Sequence, residues 1–217
     1  WLPDTPECRA EIAQYYRSVS RVDQGLGRLV QILKETGKYE NTLIILTSDN
    51  GMAFPGSKTN LYEPGMHLPL IVRVPGQQKP GGKCHAMVSW VDLTPTILDV
   101  CGVDAPDAPG VRPGSGGAAR NRPGARQRYA FHGRSWKGLW DEESPAGWDE
   151  VYASHTFHEI TMYYPMRVIE TRRHKLILNV AHQLPYPFAS DLWESAKRIF
   201  TEPIDRSQSP VAPGSEA

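Results

Sequence analysis

Nowhere in the 217 residues does an apolar run reach the roughly 18 residues that a membrane-spanning helix needs. Cysteine is scarce and odd in number: Cys8, Cys84 and Cys101 are widely spaced, which argues against a disulfide framework or a zinc motif. Neither sign of charge is in excess, with 24 basic against 24 acidic residues. The electrostatic signature of a nucleic-acid or membrane-surface partner is therefore missing. The opening WLPDTPECRAEI lacks Met, has no basic start and no apolar signal-peptide stretch, and enters directly on a helical pattern. An internal rather than a natural start is expected. No internal repeat recurs, and the length allows one large domain or two small ones.

What is present reads as helix, buried strand, loop, buried strand, helix, the signature of an α/β protein. Asp4-Thr5-Pro6-Glu7 is a helix start, with a capping side chain and a proline in the first turn. Ile12, Tyr16, Val19, Val22, Leu26, Leu29 and Leu33 then form one apolar face of a long helix ending near Gly37. Residues 42–47 and 68–74 are apolar, β-branched runs, the pattern of strands covered on both faces in a parallel sheet. SWVDLTPTILDVCG predicts a short helix with Asp92 near its start and Gly102 past its end. Residues 104–128 turn sharply to Gly, Pro, Ala and Arg, a flexible insertion or domain boundary; a solvated linker explains its arginines more simply than a polyanion site. Residues 150–180 alternate apolar and polar, which predicts two strands near 151–155 and 173–180. The polar, Pro-rich tail, 201–217, reads as disordered.

The first strand breaks off into Ser48-Asp49-Asn50-Gly51. Asp-Asn-Gly is ordinary turn chemistry. It also sets two hard oxygen donors after a strand, where open α/β sheets bind ligands, and such donors suit Ca²⁺ or Mg²⁺ better than zinc. Two donors cannot fill the shell, and no pair of adjacent aspartates supplies the rest.

TSDNG with the downstream Lys58, then NLYEPGMHLPLIVRVPG and VSWVDLTPTILDVCG, resemble in this order the latter half of the sulfatase catalytic domain, in the alkaline-phosphatase-like superfamily. YYRSVSRVDQGLGRLVQILKETGKYENTLIILTSDNG resembles the helix and strand before that family's metal site. FPGSKTNLYEPG and SHTFHEITMYYPMRV are most similar to its sulfamidase branch, the heparan N-sulfatases (N-sulfoglucosamine sulfohydrolases). The similarity runs from residue 5 to 187 apart from the insertion.

The resemblance implies an α/β fold: an alkaline-phosphatase-like sandwich with a largely parallel central sheet, incomplete here, and the start of a smaller C-terminal α+β domain. Residues 1–103 would be the latter half of the catalytic domain, 104–128 an insertion, and 129–200 its end with the beginning of the C-terminal subdomain. It implies hydrolysis of a sulfate ester or sulfamate on a sulfated sugar, N-sulfoglucosamine being favoured. Ca²⁺, with Mg²⁺ as the alternative, would act as Lewis acid beside a formylglycine nucleophile. Asp49 and Asn50 match two metal ligands, and Lys58 matches a basic residue that contacts the sulfate or its bridging atom. A compact ammonium there would stabilise charge on the leaving group, although a solvated loop lysine is the usual fate of this residue.

His155 and Glu159 are polar residues near an expected strand end, where the sulfamidase resemblance is closest; with His158 they would recognise an amino sugar, a histidine being able to protonate a leaving amine, or the histidines are merely hydrogen-bonded or exposed. Arg167 could grip a carboxylate or sulfate, or serve in a structural ion pair. Asp92 and Thr94 resemble the family's D-x-x-P-T segment and read as helix capping and packing.

The segments CRAEI, CHAMV and CGVDA fit neither C-x-P-S-R nor C-x-A-x-R, from which the family makes formylglycine. Its early metal-binding aspartates and sulfate-binding Lys/His pairs also precede the matched region. A C-terminal fragment of a longer enzyme, inactive alone, is therefore expected. The resemblance points to a periplasmic or secreted bacterial protein or a lysosomal animal one, and leaves a dimer open. Two alternatives remain. A phosphodiester or phosphonate-ester hydrolase of the superfamily would use two zinc ions, against which Asn50 argues. A non-catalytic glycan-binding module would have kept the fold without the nucleophile.

Overall fold

The computed structural model describes residues 2–77, 80–104, 130–158 and 162–187. Glu159, nearly all of the expected insertion and the expected tail lie outside them. The chain divides into two units, residues 1–76 with 152–217, and residues 77–151.

In the first unit the helical signal becomes α1, Pro6–Glu35, of 30 residues. Thr5 caps it: its hydroxyl accepts from the Cys8 amide at 3.2 Å, while Pro6 occupies a first-turn position that needs no amide. Past Thr36, Gly37 takes φ +68°, the left-handed geometry that ends a helix. The expected apolar face forms but stays open among the described residues. Only Cys8 of the helix is buried, while Tyr16, Val22 and Leu29 are exposed.

The two apolar runs become β1, Ile44–Thr47, and β2, Leu70–Arg73. The expected largely parallel sheet is not what they build. β1 and β2 pair antiparallel, with Ile44 opposite Arg73 and Thr47 opposite Leu70. An apolar, β-branched run reports burial; strand direction is set by the path of the chain between strands. Here residues 48–69 carry only a four-residue helix, α2, Glu63–Met66, and the chain returns beside the strand end it left. A parallel neighbour would need a crossover back to the starting end. Nor are both faces covered: β1 is half-buried throughout, and Leu70 and Ile71 are exposed.

The second sheet has the order β3-β4-β5, formed by Glu150–His158, Met162–Thr171 and Lys175–Asn179. β4 and β5 run antiparallel, with Arg167 opposite Leu178. The outer strands match the alternation in the sequence, but the central one was not expected. MYYPMRVI does not alternate cleanly, and Pro165 argues against a central strand because it has no amide for the ladder. Its carbonyl still takes part, accepting from the Val180 amide at 3.0 Å. Tyr164, Met166 and Val168 of β4 are buried with Leu61 of the loop after β1. Each such side chain contributes about 1.5–3 kcal/mol by leaving water. This packing sets the loop against the sheet.

In the second unit, a 3-10 turn at Trp90–Asp92 leads into α3, Leu93–Val100. Asp92 has the capping role expected of it: its carboxylate accepts from the Ser89 amide at 2.8 Å and from the Arg134 amide at 2.8 Å. The partnering hydroxyl is that of buried Thr96 rather than exposed Thr94. It donates to the Asp92 carbonyl at 2.6 Å and accepts from the Trp136 amide at 3.1 Å.

Candidate active site

After β1 the chain turns abruptly. The Ser48 hydroxyl donates to the Asn50 carbonyl at 2.8 Å, holding the peptide that follows the two donor residues. Asp49 and Asn50 are exposed, and among the described residues neither side chain makes a hydrogen bond or ion pair. Gly51 is buried against the returning loop, where an added Cβ would lie 2.5 Å from both the Pro64 carbonyl oxygen and the Ser57 hydroxyl. Only glycine permits that approach. Ser57 is wholly buried, and its hydroxyl donates to the same Pro64 carbonyl at 2.8 Å. The loop is thus packed on itself beneath the two exposed oxygen donors.

Lys58 belongs to this arrangement. Its amide donates to the Met52 carbonyl at 3.1 Å, and Met52 follows Asn50 within about 7 Å of chain. The backbone therefore brings Lys58 back towards the Asp49–Asn50 turn. Phe54, buried between them in sequence, packs edge-on against Tyr15 of α1 with ring centroids 5.9 Å apart.

His155 lies within β3 rather than at a strand end, with Nδ1 at 3.1 Å from the Tyr164 carbonyl of β4. That bond requires the proton on Nδ1 and leaves Nε2 as an acceptor in the neutral ring. Nε2 is buried and has no partner among the described residues. Arg167 is exposed on β4, where its Nη1 donates to its neighbour's carbonyl on Met166 at 3.0 Å. His158 is half-buried at the end of β3. The structure thus gathers Asp49, Asn50 and Lys58 in one loop, and His155 and Arg167 on adjacent strands.

Residues that the sequence did not single out hold the loop to the second sheet. The Tyr186 phenol donates to the Thr59 carbonyl at 3.1 Å and accepts from the Asn60 amide group at 3.0 Å. Its ring packs edge-on against Tyr164 at 5.2 Å. Burial, above all, pushes the Tyr186 phenol above its ordinary pKa, so it stays a donor. A pocket of about 510 Å³ opens alongside, lined by Asn60, Tyr62, Tyr164, Asn179 and Tyr186 among others. Its amides and phenols are committed to one another, as where Asn179 donates to the Tyr164 hydroxyl at 2.6 Å. The charged groups named above lie outside its wall.

A second tether runs from α2. Lys175 Nζ lies 2.7 Å from a Glu63 carboxylate oxygen and 3.0 Å from one of Glu170. The hydrogen bond from Lys175 is the largest influence holding the Glu63 carboxyl below its ordinary range. For Lys175 burial acts in the opposite sense, but the two carboxylates outweigh it and raise its pKa. A carboxyl whose pKa is depressed by folding stabilises the fold above its unfolded pKa and loses that contribution as pH falls through the folded one. Glu63→Gln is therefore expected to lower the melting temperature of the full-length protein at pH 7. The gap to wild type should close as the pH falls below about 4.3. Because Glu63 is 56% exposed, the gap should also narrow in high salt. Parallel melting curves across pH test this; a gap that does not narrow as the pH falls below about 4.3 contradicts it.

A hard divalent ion requires roughly six to eight oxygens for Ca²⁺ and near-octahedral geometry for Mg²⁺. A carboxylate and an amide carbonyl, exposed on one turn and unpaired among the described residues, suit that chemistry better than zinc. They form part of a shell only: no group of three or more His, Cys, Asp or Glu that could hold a metal occurs among the described residues. Also among those residues, no helix is long and apolar enough to cross a membrane.

The profile of the Sulfatase family matches residues 3–103, which include the whole loop from Ser48 to Met66. The chain is 36% identical over 202 residues to human N-sulphoglucosamine sulphohydrolase, covering 90% of this chain and 36% of that protein. Over 97 residues it is 39% identical to the N-acetylglucosamine-6-O-sulfatase of Bacteroides thetaiotaomicron, covering 42% of this chain and 17% of that one. Over 102 residues it is 29% identical to the ulvan-active sulfatase of Formosa agariphila, covering 47% and 17%. The chain thus spans about a third or less of the length of these relatives. The exposed Asp49–Asn50 turn, its packed glycine and the returning lysine loop all fall inside the matched region, and it is over residues 3–103 that the chain matches a sulfatase-family domain.

Proposed function

We propose that this chain is part of a hydrolase that removes sulfate from a sulfated sugar, with an N-sulfoglucosamine-type substrate favoured. The observation that carries the reading is the turn after β1, where Asp49 and Asn50 present oxygens unpaired among the described residues and the Lys58 backbone is bonded into the same loop. In this reading Asp49 and Asn50 contribute two ligands to a Ca²⁺ or Mg²⁺ ion, which when bound would polarise the sulfate oxygens as a Lewis acid. The remaining ligands and a formylglycine nucleophile would come from outside this chain. Lys58 holds its ammonium where the bridging atom departs and stabilises the charge that develops there. His155 contributes to recognition of the amino sugar in this reading, with Nδ1 committed to a backbone carbonyl and the buried Nε2 the ring atom left to accept. Arg167, His158 and Glu159 complete the recognition of the sugar in this reading.

The preference for a sulfamate has its own support. The likeness to human N-sulphoglucosamine sulphohydrolase extends over 90% of this chain and so beyond residue 103, whereas the likeness to the Bacteroides N-acetylglucosamine-6-O-sulfatase covers 42%. The added stretch includes β3 and β4, which carry His155 and Arg167. The test is steady-state kinetics of the full-length protein on glucosamine N-sulfate and on an aryl sulfate ester, with inorganic sulfate as the readout. A higher kcat/KM on the N-sulfate is expected. A strong preference for the ester would move the assignment to an ester sulfatase, and no sulfate release from either would remove the enzymatic reading.

A further inference from the structure

Thr59 is the only non-glycine residue with positive φ among the described residues, at 64°. A β-branched side chain in that region is a genuine outlier, because its Cβ crowds the neighbouring carbonyl. Such strain persists only where the surroundings over-determine the backbone. The surroundings here are specific. Tyr186 OH reaches the Thr59 carbonyl at 3.1 Å, the Thr59 hydroxyl at 3.1 Å and Asn60 Nδ2 at 3.0 Å. One phenol therefore bonds both residues that follow Lys58, from 127 residues away in sequence. Its ring is held independently by the edge-on contact with Tyr164. On the other side of Lys58, Ser57 is wholly buried and bonded to Pro64. The lysine is left between a fixed residue and a strained, tethered one.

We propose that Tyr186 is a positioning residue for Lys58, its hydroxyl holding Thr59 in the left-handed conformation that aims the lysine at the Asp49–Asn50 turn. The proposal rests on the reading of Lys58 as the charge-stabilising group. Tyr186 acts through the backbone and touches no reacting atom. An alternative role confined to filling the core would need only the ring, which Phe supplies equally well. The hydroxyl is therefore the atom to remove.

The experiment uses Tyr186→Phe in the full-length protein, with two readouts. Hydrogen exchange of the Lys58 and Asn60 amides, bonded to Met52 and Ser57 respectively, should quicken about 5- to 10-fold, as loss of roughly one hydrogen bond predicts. Amides of the β4–β5 ladder should keep their wild-type exchange. On glucosamine N-sulfate, kcat should fall by about the same 5- to 10-fold, with KM within about twofold, because a misaimed lysine weakens the transition state more than the bound substrate. Adding Thr59→Gly should restore most of kcat, since glycine holds positive φ without strain. In a Lys58→Ala background, Tyr186→Phe should lower kcat no further. Unchanged exchange at Lys58 and Asn60 would overturn the tether even if Lys58 proves essential. A full Tyr186→Phe penalty persisting in the Lys58→Ala background would show that the phenol acts elsewhere. Wild-type kcat in Lys58→Ala would instead strike the reading of Lys58, and the positioning role would go with it.

Discussion

Asp49→Ala in the full-length protein is expected to abolish divalent-ion binding and sulfate release together. The side chain is exposed and has no hydrogen-bond or ionic partner among the described residues, so its removal deprives the fold of nothing local. Exposed positions of this kind usually change stability by no more than about 0.5 kcal/mol. The cost should fall on the metal. Losing even a group that only orients a ligand commonly weakens metal affinity about 10- to 100-fold, and losing a charged ligand outright should exceed that. Asn50→Asp should be milder, since it preserves an oxygen donor while changing the charge of the site. Calcium titration calorimetry, melting temperature and sulfate release on the same preparations separate the causes. An Asp49→Ala protein that binds Ca²⁺ like wild type would remove this residue from the metal site. One that loses its melting transition would give the residue a structural role instead.

How far the sequence disclosed the site depends on how local each feature is. α1 was legible from end to end because its signals lie within a turn of each other: Thr5 caps, Pro6 enters and Gly37 closes. The strands β1 and β2 were legible as strands and not as a pair. Side-chain pattern records how each run meets its surroundings, whereas direction is decided by the 48–69 connection, which carries no sign of it. The parallel sheet failed there. β4 was hidden by Pro165, which breaks the alternation and lacks a ladder amide, yet still bonds Val180 through its carbonyl.

At the candidate site the same division holds. Asp49, Asn50 and Lys58 stood close in sequence, and the loop brings their backbone together through the Lys58–Met52 bond. The partnership of His155 with the Tyr164 carbonyl needed the hairpin register of β3 and β4. Tyr186 could not have been found: it meets Thr59 across 127 residues with no periodic pattern between them. The strain at Thr59 had no sequence mark either, since a β-branched residue is not expected at positive φ.

Lys58→Ala is the other change of large effect, expected to lower kcat about 100- to 1,000-fold on glucosamine N-sulfate, the range for removing one stabilising donor from a reaction centre. KM should move much less, because the interaction strengthens as charge develops on the departing atom and contributes little in the ground state. Lys58→Arg should retain part of the activity, keeping the charge on a planar, bulkier group that cannot occupy the same point. The fold should survive each change. Lys58 is only half-buried, and its backbone bond to Met52 does not involve the side chain. The leaving group supplies a further discriminator. An amine departing from a sulfamate needs far more help than an aryl oxide, which already spreads its charge over a ring. The penalty for Lys58→Ala should therefore be larger on the N-sulfate than on an aryl sulfate ester. Equal penalties on both substrates would relocate the lysine from the leaving atom to the sulfate oxygens common to both. Unchanged kcat on either substrate, with wild-type melting, would remove Lys58 from the chemistry of that substrate.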